Sequence, residues 1–298
     1  MGIIAVYCLI DEIYRRLFPN GVRHHGFEPR LSDVEALTIA IVGEYLGLER
    51  DKAIFEYFFK HYRDWFPGLS DRTLLVRQWA NLWVVEQRIW QELVRLSGAD
   101  QSTIQIIDTL PVPICGLRRY RRRRIFCNDV LLEPEVGYCA SKDWYYFGFK
   151  GGLRIASNGM IVHAPLLPAG SHDSQLTDIL LEGMPTHAIC LGDKGFLDNE
   201  TQTALQEEYD LLLLTPLRSN MKPTPFAMPA GFNDLRQLVE TVGSQLVERF
   251  KVQSLRVRKG WTLLAKWFRK ILAHTVCVWL NLQYGRPPLD FAGLVAVK

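Results

Sequence analysis

Long apolar runs are missing from this chain. No stretch approaches the roughly 18–20 uninterrupted apolar residues that a bilayer-spanning helix needs, which excludes an integral helical membrane protein. The opening segment MGIIAVYCLIDE has no basic residue ahead of its apolar part and turns acidic at Asp11, so it reads as a poor secretory signal. Cysteine is sparse and scattered. None of the six (Cys8, Cys115, Cys127, Cys139, Cys190, Cys277) forms a CxxC pair, and no two histidines stand at zinc-finger spacing. A disulfide scaffold and a structural zinc site are therefore not expected, and reduced thiols in a cytoplasmic protein are. Internal repeats are lacking, as are low-complexity tracts apart from one arginine run. An excess of one charge is also lacking at first sight, with 35 Lys+Arg against 32 Asp+Glu and a net charge of +3.

What is present is an ordinary globular composition, 48% hydrophobic over 298 residues, enough for one large domain or two ordinary ones. The charge is unevenly spread. Residues 1–100 carry 12 basic and 14 acidic groups, residues 101–240 carry 13 and 16, and residues 241–298 carry 10 and 2. The whole excess lies in the last fifth of the chain, a pattern suited to a polyanionic partner.

The first hundred residues read as helical. Ser32 with Glu35 three residues on forms a capping box ahead of Val34, Leu37, Ile41 and Tyr45. Gly47 stops that helix, Pro67-Gly68 marks a turn, and Ser70 caps a second long helix over 71–96. From residue 103 the period changes. Strands are expected at 103–107, 145–155, 160–167, 188–191 and 211–214, with Asn158-Gly159 as a hairpin turn. Helices are expected at 174–181, 199–208 and 234–250. This order fits a mixed α/β sheet of five strands covered by helices on both faces. The domain boundary falls near residue 100, with 101–298 forming one larger domain that ends in a basic tail.

Asp108 and Asp193 each end an apolar strand. Sites in open α/β sheets collect outside the carboxyl ends of neighbouring strands. If the two strands are adjacent, the carboxylates converge and call for a divalent cation. Glu240 and Glu248 compete as a third carboxylate on the helix that follows, and spacing does not choose between them. Arg236 stands one turn before Glu240. His172 and Asp173 fall at the rim of the site, or else cap a helix. Six arginines in seven residues (Arg118, Arg119, Arg121, Arg122, Arg123, Arg124) follow Asp108 closely and suit a phosphate backbone. In the tail, Arg249, Lys251, Arg256, Arg258, Lys259, Lys266, Arg269 and Lys270 interleave with Trp261, Trp267 and Phe268, as in a nucleic-acid groove.

Six segments in this order, IIDTLPVPIC, GYCASKDWYYFGFKGGL, LLPAGSHDSQL, LGDKGF, LTPLRSNM and RQLVETVGSQLVERF, resemble bacterial insertion-sequence transposases of the DDE class, and most nearly the insertion-sequence family numbered 982. The resemblance extends to LSDVEALTIA near the start. It implies a ribonuclease H-like catalytic domain whose Asp-Asp-Glu triad, here Asp108, Asp193 and Glu240, binds two Mg²⁺ (or Mn²⁺) ions, and it selects Glu240 over Glu248. Where related enzymes carry two tyrosines and a lysine, this chain has Phe196, Asn233 and Val247.

The activity so implied is cleavage at transposon inverted-repeat ends and joining of the 3′-hydroxyls to target DNA. The other outcomes to separate are a nuclease without strand transfer and an inactive DNA-binding relative. Double-stranded DNA, held by a homodimer in the bacterial cytoplasm at the nucleoid, is the expected partner. Lys150, Lys194 and Arg236 join Arg118–Arg124, Arg256, Arg258 and Lys259 as expected DNA contacts. The helical N-terminal region is the expected reader of the DNA ends, through a helix-turn-helix-like element within residues 30–96, with Arg77, Arg88 and Arg95 as a local basic face.

Overall fold

The computed structural model describes residues 2–23, 26, 28–120, 125–126, 129, 132–172, 176–196, 199–216 and 231–294. In chain order the helices are α1 (Ile3–Leu17), α2 (Asp33–Tyr45), α3 (Asp51–His61), α4 (Arg72–Asn81), α5 (Trp83–Ser97), α6 (Leu117–Tyr120), α7 (Thr177–Leu181), α8 (Asn199–Tyr209), α9 (Phe232–Glu248) and α10 (Gly260–Gln283). The strands are β1 (Ile104–Cys115), β2 (Glu135–Cys139), β3 (Trp144–Ala156), β4 (Ile161–His163), β5 (Leu166–Pro168), β6 (Ile189–Leu191) and β7 (Leu212–Leu214). Two compact units result. One joins the residues up to Leu93 with those from Gln245 onward, and the other runs from Val94 to Ser244. The basic tail thus packs with the N-terminal helices, whereas the sequence suggested that it continues the sheet-bearing domain.

In the helical unit α2 is the central element, buried at every position except Glu35. Its start is fixed by the expected capping box: the Glu35 amide donates to Ser32 Oγ at 3.2 Å and the Ser32 amide donates to Glu35 Oε2 at 2.7 Å. The expected helix over 71–96 is two helices that break at Leu82, with no proline or glycine to announce it. Asp71, not Ser70, caps the first of them, accepting from the Thr73 and Leu74 amides at 2.7 and 3.1 Å.

Burial corrects part of the expected nucleic-acid groove in the tail, although Arg256, Arg258, Lys259 and Trp261 are exposed. Trp267 and Phe268 lie in the core, and Phe268 stacks on Trp83 at 5.9 Å. Arg269 and Lys270 are equally buried. Arg269 donates to Glu44 at 2.7 Å and to Asp51 at 2.8 Å, and Lys270 donates to Glu44. Lys266 pairs with Asp51 at 3.3 Å. These cations neutralise acids inside the fold, because an unpaired buried charge would cost several kcal/mol.

In the other unit seven strands of the described residues form one mixed sheet of order β2-β3-β1-β6-β7, with β4 and β5 also paired to β3. β1 runs antiparallel to β3 and parallel to β6, and β6 runs parallel to β7. The first strand extends to Cys115 rather than stopping at 107. Pro111 and Pro113 are tolerated in it because β6 accompanies β1 only as far as Ile106, leaving an edge that needs no N–H. The expected strand over 160–167 divides at Ala164 and Pro165 into β4 and β5. β2 was not expected. Of the expected helix at 174–181, α7 covers Thr177–Leu181, and residues 174 and 175 lie outside the described residues.

Two glycines in the GFKGGL segment allow close approach. A Cβ on Gly148 would lie 2.4 Å from the Val112 carbonyl oxygen, and one on Gly152 would lie 2.7 Å from Leu180. Beneath the sheet Ile107, Leu176, Leu180, Phe196, Leu205 and Leu213 share one hydrophobic cluster.

Candidate functional site

The parallel register of β1 and β6 determines the site. Their last paired positions are Ile106 and Leu191. Asp108 and Asp193 each lie two residues further on, Asp108 still within β1 and Asp193 in the turn that follows β6, so both come just after the last paired positions of neighbouring strands. Asp108 sits within β1, opposite Leu153 of β3, rather than at the strand's end. What ends just before its level is the parallel partner β6, at Leu191 opposite Ile106. Its Oδ1 accepts the Thr109 amide at 2.7 Å.

Asp193 is held by the turn after β6. The Gly192 amide donates to the Leu214 carbonyl at 3.0 Å, and the Phe196 amide donates to the Asp193 carbonyl at 3.0 Å. Phe196 is itself fully buried in the core cluster, so an apolar anchor fixes the turn that presents the carboxylate.

Glu240 comes from α9, whose Val239, Val242 and Leu246 are buried. Asp108, Asp193 and Glu240 line one cavity of about 500 Å³ together with Arg236, Lys150 and Tyr138. Glu248 is exposed and does not line it. The Arg236 guanidinium stands 3.5 Å from both Asp193 Oδ1 and Glu240 Oε1. The two carboxylates are 53% and 62% exposed, so these ion pairs contribute little to stability. Among the described residues no three Asp, Glu, His or Cys side chains are close enough to form a metal cluster. The donor chemistry nonetheless fits a hard divalent cation, since the acidic groups lining the cavity supply only carboxylate oxygens.

The family model for the transposase DDE domain matches residues 98–259, more than half of the chain and the stretch that contains all three carboxylates. The chain belongs to the DDE transposase family. No curated protein and no solved structure matches it. No helix of the described residues is long and apolar enough to cross a membrane.

The cations expected to contact DNA fall into separate groups in this transposase. Lys150, on β3, donates to the Ser171 carbonyl at 2.7 Å, tying that strand to the loop bearing His172, which is exposed. Lys194 is exposed beside Asp193. Arg118 and Arg119 are exposed on α6, whose Tyr120 stacks on Phe147 at 3.9 Å. Arg256, Arg258 and Lys259 are exposed in the helical unit. Arg121–Arg124 and Asp173 lie outside the described residues. Sequence reasoning missed Tyr138. Its hydroxyl donates to Asp143 Oδ1 at 2.6 Å and its ring lies 4.8 Å from that of Tyr145. Only recognition of the short strand β2 would have revealed it.

Proposed function

We propose that this DDE transposase cleaves phosphodiester bonds at transposon inverted-repeat ends and joins the resulting 3′-hydroxyls to target DNA. The observation that supports this reading is the register of β1 and β6, after whose last paired positions Asp108 and Asp193 follow, both lining the cavity that Glu240 also lines. On this reading Asp108 and Asp193 hold two Mg²⁺ or Mn²⁺ ions and Glu240 completes their ligands. When bound, the pair of ions supplies an activated water or 3′-hydroxyl and stabilises the leaving oxygen. Arg236, 3.5 Å from both Asp193 and Glu240, would orient the two carboxylates. Lys150 and Lys194 add positive charge at the cavity, and Arg118 and Arg119 lie on the phosphate backbone.

The order of segments supports membership of the insertion-sequence family numbered 982. The helical region reads the DNA ends, and a homodimer holds two ends together in the cytoplasm. The test is a plasmid carrying the DNA that flanks the coding frame, incubated with the transposase and Mg²⁺. Joined products are expected. Nicked products alone would make the protein a nuclease without strand transfer, and no metal-dependent cleavage would overturn the catalytic reading.

A further inference from the structure

The helical region's composition argues against DNA binding, since residues 1–100 carry more acidic than basic groups. Burial reverses the argument. Asp33, Glu44 and Glu86 are withdrawn into the core, and Asp51 is committed to Arg269 and Lys266; Asp71 stays exposed at the start of α4, where it accepts from the α4 amides. The arginines remain outside.

Helix α4 is placed to use them. Leu75, Gln78 and Trp79 form its buried face. Gln78 donates to the Leu31 carbonyl at 3.0 Å and to Asp33 at 2.8 Å, and the Trp79 indole donates to the Ala36 carbonyl at 2.8 Å. The opposite face exposes Thr73, Arg77 and Asn81. A cavity flanks the helix on each side, and Arg77 lines both. The one of about 510 Å³ is edged by Arg50, Lys52, Arg72, Arg77, Arg256 and Lys266 against two acids, Glu49 and Asp51. Glu49 is taken by Arg256 at 3.0 Å, while Arg50, Arg72 and Arg77 make no salt bridge among the described residues.

We infer that α4 is the helix that enters the DNA major groove, with Arg77 and Asn81 reading base edges and Arg50 and Arg72, at the edge of the same cavity, holding the flanking phosphates. A helix fits the major groove, arginine pairs with guanine and asparagine with adenine in bidentate fashion, and the cationic rim matches the backbone. The inference rests on the proposed function only in taking duplex DNA as the partner.

The test uses the full chain and duplexes selected from a randomised pool by the wild-type protein. Arg77→Ala and Asn81→Ala, both on the exposed face, are expected to reduce the preference for the selected sequence roughly tenfold or more at one or two base pairs. Arg50→Ala and Arg72→Ala should weaken binding to every duplex alike and reduce the slope of log affinity against log salt by about one each. Circular dichroism checks that all four fold. Unchanged sequence preference in Arg77→Ala and Asn81→Ala, with wild type still binding and cleaving, overturns the role of α4 and leaves the transposase reading standing. A wild-type protein that binds no duplex overturns both.

Discussion

Glu86 is a carboxyl group placed where a carboxylate is hardest to keep. It lies on α5 at 1% exposure, and neither of its oxygens has a hydrogen-bond partner. Burial pushes its pKa from 4.5 up to about 8. Arg269 opposes that rise, and the negative charges of Glu44 and Asp51 add to it. The folded protein therefore keeps a proton that the unfolded chain releases above 4.5. Between these values the folded state binds more protons, so stability falls as pH rises from about 4.5 and levels off above about 8. A displacement of this size corresponds to a few kcal/mol at pH 8 and above. Glu86→Gln replaces the neutral acid with a neutral group of the same shape. Denaturant unfolding across pH 5 to 9 should show the variant close to wild type at pH 5 and more stable by a few kcal/mol at pH 9. Parallel pH profiles for the two proteins would refute the argument, because they would mean that Glu86 is ionised, or equally protonated, in both folded and unfolded states.

Other outcomes follow from the same packing. Glu44→Ala leaves Arg269 and Lys270 buried without their shared partner and should cost about 3–5 kcal/mol in denaturant unfolding. Burial raises the Asp51 pKa, but Arg269 and Lys266 outweigh it and hold the carboxyl at about 2. Its contribution to stability is thus fully present above 3.8 and is lost as pH falls through 2, and Asp51→Asn should flatten that acid limb. Gly148→Ala forces a Cβ to within 2.4 Å of the Val112 carbonyl oxygen. It should lower the thermal midpoint and loosen the pairing of β1 and β3 that carries Asp108, as amide exchange in β1 would show.

The sequence was legible where local chemistry acts alone. The Ser32–Glu35 box, the apolar runs into Asp108 and Asp193, and the helix that bears Glu240 all rest on neighbours a few residues apart. It misled where a distant partner decides. The expected first strand stopped at 107, and its continuation through Pro111 and Pro113 is possible only because β6 ends early. Trp267, Phe268, Arg269 and Lys270 read as an exposed basic and aromatic stripe, yet Glu44 and Asp51, more than two hundred residues away, draw the cations inward. Leu82 breaks a helix with no local signal at all. The adjacency of β1 and β6 is of the same kind. Two strand-end aspartates were visible, but their meeting depends on a parallel pairing across 85 residues.

The most direct test of the central claim is the rate of Mg²⁺-dependent cleavage at a transposon end by wild type, Asp108→Asn, Asp193→Asn, Glu240→Gln and Glu248→Gln, with DNA binding measured alongside. The first three variants should bind DNA and cleave at less than about a thousandth of the wild-type rate, while Glu248→Gln should cleave normally. Normal cleavage by Glu240→Gln, or loss of cleavage in Glu248→Gln alone, would contradict a site built from Asp108, Asp193 and Glu240.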